Sequence, residues 1–128
     1  MEVVQGWHSV PPQLRGASLA IGNFDGVHRG HRAVLGAARD AAEGKRPWGA
    51  MVFEPYPRKY FQPHKPFFRL TSLPRKLELL SAVGCDFTAI ISFDREVAEL
   101  SAADFVRLIL VEAFAIKYAS VGFNFFFG

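Results

Sequence analysis

Four short, nearly continuous apolar runs, separated by helical patterns, constrain this chain more than any other feature. They are residues 17–24 (ASLAIGNF), 48–54 (WGAMVFE), 87–93 (FTAIISF) and 118–125 (YASVGFNF), and the first three lack the apolar–polar alternation of a strand with one wet face. Strands of this kind are covered on both faces, as in parallel sheets. Between them lie three helical stretches. Val34, Ala37, Ala38 and Ala41 recur at helical spacing over 31–43, with Gly44 as the stop. Ser72 caps a helix over 73–83, with Leu73, Leu77 and Leu80 on one face and Gly84 ending it. Ser101 with Asp104 opens a third helix to about Phe114, with Phe105, Leu108 and Ile109 inward. Such alternation predicts an α/β fold, a parallel sheet with helices on both faces and right-handed crossovers. Its ligands are expected at the carboxyl ends of the strands, near a topological switch point.

Composition narrows the function classes. Half of the 128 residues are hydrophobic and 21% are charged, a globular balance. The formal charge of +3 suits an anionic small molecule, but the cations are scattered and the aromatics are not interleaved with a basic stripe, so no nucleic-acid partner is expected. The one cysteine, Cys85, lies among apolar neighbours and reads as a core thiol. No apolar run approaches the ~20 residues of a membrane span and the N-terminus has no export signal, so a cytoplasmic protein is expected. His8 and His64 read as surface residues, Trp7 and Trp48 as packing, and Asp94 and Glu96 as capping or solvating the turn after the third run.

The chemistry-bearing string is GNFDGVHRGHR, residues 22–32. It leaves an apolar strand and enters a helix. Gly26 and Gly30 permit a tight turn and close approach of backbone to a ligand. The free N–H groups and dipole of the following helix attract phosphate. His28 and His31 are three apart, so both imidazoles can converge on one phosphate. Two other readings stay open from the residues alone: acid–base work by one histidine, or a surface turn with two solvated histidines. A zinc site lacks a third ligand nearby in sequence and leaves the glycines unexplained. The residues 55–66 form a proline-rich, aromatic and basic loop, an odd composition for a mere connector.

GNFDGVHRGH resembles the first signature of the HxGH nucleotidyltransferases, which have a Rossmann-like fold, and in particular the opening of FMN adenylyltransferases. FEPYPRKYFQP (53–63), FRLTSLPRKLELL (68–80) and VGFNFFFG (121–128) agree in order and spacing. The resemblance is to the N-terminal FAD synthetase domain of the bacterial bifunctional riboflavin kinase/FAD synthetases. It implies transfer of AMP from ATP to FMN, giving FAD and pyrophosphate, with Mg²⁺. It implies catalytic roles for His28 and His31, and an ATP site of Gly22, Asn23, Phe24, Asp25, Gly26, His28, Gly30 and His31. It implies flavin contacts from Arg58, Phe61 and Asn124; Asn23 and Asp25 are read as contacting the ligand or Mg²⁺, directly or through water, and no residue is assigned as a metal ligand. For Asn23 and Asp25 the alternative is a turn stabilised by their own backbone, for Arg58 a solvated surface charge, for Phe61 cover for the core, and for Asn124 a strand-end turn. Lys59, Lys65 and Arg69 read as solvating the loop.

Three departures bear on that expectation. Tyr56 stands where the family usually has histidine; it donates a hydrogen bond but cannot become cationic. Phe126 stands where arginine is usual, removing either a charge-assisted phosphate contact or a surface ion pair. Family members continue beyond the position of Gly128 through a second ATP-phosphate signature and a riboflavin kinase barrel. On this reading residues 1–128 are a C-terminally incomplete FMN adenylyltransferase domain whose aromatic end is an aggregation liability. It is a fragment, the product of a disrupted frame, or part of a longer protein. Two alternative functions remain at this stage. One is a catalytically incompetent nucleotide- or flavin-binding fragment. The other is an adenylyltransferase for another small phosphate, such as pantetheine phosphate or nicotinamide mononucleotide, against which the segments FEPYPRKYF (53–61) and LTSLPRKLELL (70–80) speak.

Overall fold

The computed structural model describes residues 1–27, 29–55, 64 and 71–122. Its centre is three strands buried along their whole length: β2 (Ser18–Ile21), β3 (Trp48–Phe53) and β4 (Phe87–Ile91). Burial on both faces is why their sequences run apolar without alternation. β1 (Glu2–Gln5) and β5 (Tyr118–Val121) flank them as edges, in the order β1-β4-β3-β2-β5, and every pairing is parallel.

Helices cover both faces, as expected. On one face, α1 (Arg29–Ala42) sets Leu35, Ala38 and Ala42 against Ala20, Ala50 and Val52, and α2 (Leu73–Val83) adds Leu80. On the other, Leu19, Ile21, Met51, Phe53, Phe87, Ala89 and Ile91 meet α3 (Arg95–Ala98) and the last helix. That helix opens as one α turn, α4 (Ala102–Asp104), and continues as a π-helix over Phe105–Ala113, burying Phe105, Ile109 and Leu110. Phe53 contacts Phe93 edge-on and Phe105 at a tilt, each with ring centroids 6.0 Å apart.

The caps follow the sequence. Ser72 accepts from Arg75 N at 3.4 Å, Ser101 from Asp104 N at 3.0 Å and Asp94 from Val97 N at 3.1 Å. Gly84 ends α2 in the left-handed region at φ 108°.

Four features differ from the sequence expectation. β1 is an additional strand, and its short EVVQ stretch carries little pattern. β2 stops at Ile21 rather than running to Phe24, because Phe24 takes φ 52° and turns the chain. α1 begins at Arg29, two residues before the expected start, which brings Gly30 and His31 into its first turn. The π register of 105–113 was not foreseen, since the same apolar spacing serves an α-helix. The stretch 123–125 of the fourth expected strand lies outside the described residues.

Candidate functional site

Strand order fixes where a ligand belongs. From β2 the chain steps to β3 and then β4, and later returns to place β5 on the other side of β2. The switch point is therefore at the carboxyl end of β2, between β3 and β5. There the ladder extends one residue past the strand on both sides. Gly22 N donates to Met51 O at 3.1 Å, and Gly122 N donates to Ile21 O at 2.9 Å. The loop that leaves this point is the glycine–histidine string.

Its first residues are tightly constrained. Phe24 has a left-handed backbone while its ring is fully buried, a combination disfavoured for a bulky residue and held by its surroundings. The ring lies under Gly22, where an added Cβ would come within 3.3 Å of it. The partly buried His31 meets the same ring edge-on, with centroids 5.4 Å apart and planes at 84°. Phe24 thus acts on the site from below, by seating His31 in the first turn of α1. Gly26 follows at φ 78°, a conformation that suits glycine.

Asp25 is tied to a residue far along the chain. Its Oδ1 accepts from Thr71 N and from Thr71 Oγ1, both at 2.9 Å, and Gly26 N donates to Thr71 Oγ1 at 3.2 Å. Asn23 Oδ1 is buried and accepts no hydrogen bond among the described residues. Orphaned buried acceptors are uncommon, and one beside a glycine-rich loop at a switch point is an acceptor that a ligand donor could satisfy.

α1 is fixed to the sheet at this point by two serines. Ser18 Oγ, on β2, donates to Ala38 O at 2.6 Å, and Ser120 Oγ, on β5, donates to Val34 O at 2.8 Å. The acceptors lie one helical turn apart, so the helix can neither slide nor roll over the switch point without breaking one of them.

Of the expected site residues, Gly22, Asn23, Phe24, Asp25, Gly26, Gly30 and His31 gather in this loop and the first turn of α1. His28, Arg58, Phe61 and Asn124, with Tyr56 and Phe126, lie outside the described residues. Sequence reasoning missed Thr71, Ser18 and Ser120. Their partners are 20 to 86 residues away, and no local pattern encodes such pairs. It also missed Lys76, which is fully buried on α2 in a helix whose leucines were expected to form the inner face.

Comparison with known proteins decides the lineage. The pattern that defines the FAD synthetase family matches residues 10–128. This chain belongs to the FAD synthetase family. Among curated FAD synthetase relatives, the bifunctional riboflavin kinase/FMN adenylyltransferase of Pseudomonas fluorescens is 40% identical over 129 residues. That of Escherichia coli K12 is 41% identical over 131 residues, and that of Haemophilus influenzae 38% over 129. All of this chain is covered in each case, but only 41%, 42% and 42% of those relatives. The chain therefore spans well under half their length. The crystal structure of a macrolide-efflux protein from Streptococcus pneumoniae superposes with a TM-score of 0.80 at 24% identity, over the whole of this chain and 50% of that one. At that identity the likeness shows the shared fold alone.

Proposed function

We propose that this chain is an FMN adenylyltransferase unit that moves AMP from ATP to FMN, releasing pyrophosphate and forming FAD. The carrying observation is the glycine–histidine loop at the switch point, with His31 in the first turn of α1, in a chain of the FAD synthetase family. The names of the relatives, which pair FMN adenylyltransferase with riboflavin kinase, support the choice of FMN and of a kinase unit working beside this one. The reading places the reaction in the cytoplasm; no helix among the described residues is long and apolar enough to cross a membrane.

A phosphate oxygen of FMN attacks the α-phosphorus of ATP. One P–O bond forms as the bond from the α-phosphorus to the bridging oxygen breaks, and pyrophosphate leaves with the electron pair. No covalent enzyme intermediate is needed, so catalysis rests on positioning and on charge stabilisation. Negative charge grows on the α-phosphate and the leaving group. The amino end of α1, with His31 and His28, is the group assigned to offset it. Asn23 supplies an acceptor for a ligand N–H. Arg58, Phe61 and Asn124 are assigned to the flavin side.

Mg²⁺ enters this scheme as the companion of the ATP phosphates, which carry most of its ligands in nucleotide sites. At the loop, Asp25 Oδ1 accepts from Thr71 N and Thr71 Oγ1. No step is assigned to a protein-held metal.

The test is FAD formed from FMN and MgATP by the purified chain, beside calorimetric ATP binding. His31→Ala is expected to lower turnover about 10²-fold or more, the range for loss of one transition-state donor, with a smaller loss of ATP affinity. Equal losses in both would remove the transition-state role of His31. ATP binding without FAD would leave a nucleotide-binding unit and refute the transferase reading.

A further inference from the structure

We propose that Thr71 is a positioning residue that holds the loop after β2 in its phosphate-receiving shape. The inference rests on the nucleotide reading of that loop and names a residue outside it. Thr71 uses three polar functions at once. Its backbone N–H and its hydroxyl proton both go to Asp25 Oδ1, and its hydroxyl oxygen accepts from Gly26 N. One O–H donated and one lone pair filled by two adjacent loop residues is a bracket that an apolar side chain cannot reproduce.

The loop needs such a bracket. Phe24 stands at positive φ, disfavoured for a bulky residue, so the start of the segment between β2 and α1 is not a shape the local sequence adopts unaided. The strut comes from 45 to 46 residues away, at the entrance to α2, where the Ser72 cap fixes the backbone. The strut also orients Asp25. With Oδ1 accepting from both Thr71 N and Thr71 Oγ1, that oxygen is held toward the entrance of α2 rather than toward the loop's own N–H groups.

Two substitutions separate chemistry from packing. Thr71→Val keeps the shape and removes the hydroxyl; Thr71→Ser keeps the hydroxyl. Two readouts are taken on the whole chain: amide hydrogen exchange at Gly26, with Gly22 as an internal reference, and ATP affinity by calorimetry. Gly22 N donates to the β3 backbone, so its exchange reports the sheet rather than the strut. Thr71→Val is expected to accelerate exchange at Gly26 but not at Gly22. It should weaken ATP binding by about tenfold, as follows if the competent loop falls to about a tenth of the population. Thr71→Ser should restore both.

Wild-type exchange at Gly26 in Thr71→Val overturns the proposal. So does acceleration that includes Gly22, which marks general loss of stability, or faster Gly26 exchange with unchanged ATP affinity. Failure of the unsubstituted chain to bind ATP would refute the nucleotide reading and, with it, the phosphate half of this proposal. The exchange comparison would still judge the strut.

Discussion

At Gly49 the sheet leaves no room for a side chain. An added Cβ would lie 2.5 Å from the Phe87 carbonyl oxygen and 2.6 Å from the Phe87 ring, which belongs to the paired residue on β4. Gly49→Ala is expected to destabilise the fold by about 1–3 kcal/mol or more, since overpacking a rigid core displaces backbone. Denaturant unfolding checks this, and an unchanged midpoint would mean that β3 and β4 separate at no cost. In the sequence Gly49 was one member of an apolar run, and nothing marked it as a contact point. Residues whose role is local were legible: the caps Ser72 and Ser101, the stop at Gly84, the turn at Gly26. Thr71 was not, because its role exists only once α2 is folded beside the loop.

Among the elements, α1 shows how the helix after the glycine–histidine loop is held. Its inner face carries small residues, Ala38 and Ala42, against Ala20 and Ala50, so helix and sheet approach closely enough for the two serines to reach helix carbonyls. Each such bond contributes about 1 kcal/mol net. The Ser18→Ala/Ser120→Ala double substitution is expected to cost about 2 kcal/mol in urea unfolding, close to the sum of the single changes. A cost near zero would show that packing alone holds α1. The sequence indicated this helix and its neighbours to within two residues at most ends, because apolar periodicity and capping are properties of single elements. It did not show the serine contacts or the π register of 105–113, both of which depend on what the element packs against.

For the molecule as a whole, stability should fall in alkali by a route through Cys85. Burial, with the Asp86 carboxylate beside it, pushes this thiol up to about 12 from its ordinary 9.0. The folded chain therefore keeps the proton that the unfolded chain begins to lose near 9.0. The stabilisation is complete below that pH and is lost progressively as pH rises toward about 12. Denaturant midpoints measured between about pH 8 and pH 11 should decline more steeply for the wild type than for Cys85→Ala, against which the lysine and tyrosine contributions cancel. Parallel slopes would remove Cys85 from the account. The same burial predicts that thiol reagents label Cys85 only on unfolding. The overall architecture was legible because both faces of the sheet are covered and its strand sequences say so. Strand order was not, because apolar runs carry no record of which neighbour each strand takes.

That strand order has a consequence for the timing of the site. β2 lies between β3, which follows within about thirty residues, and β5, which lies about a hundred residues downstream. While the chain is being made, the strand beneath the glycine–histidine loop therefore has one open edge until residues 118–121 emerge, and α1 lacks its Ser120 anchor. The seat of the glycine–histidine loop is therefore completed in two stages: β3 can pair with β2 as soon as residues 48–53 are made, whereas the second ladder and the Ser120 anchor wait for β5.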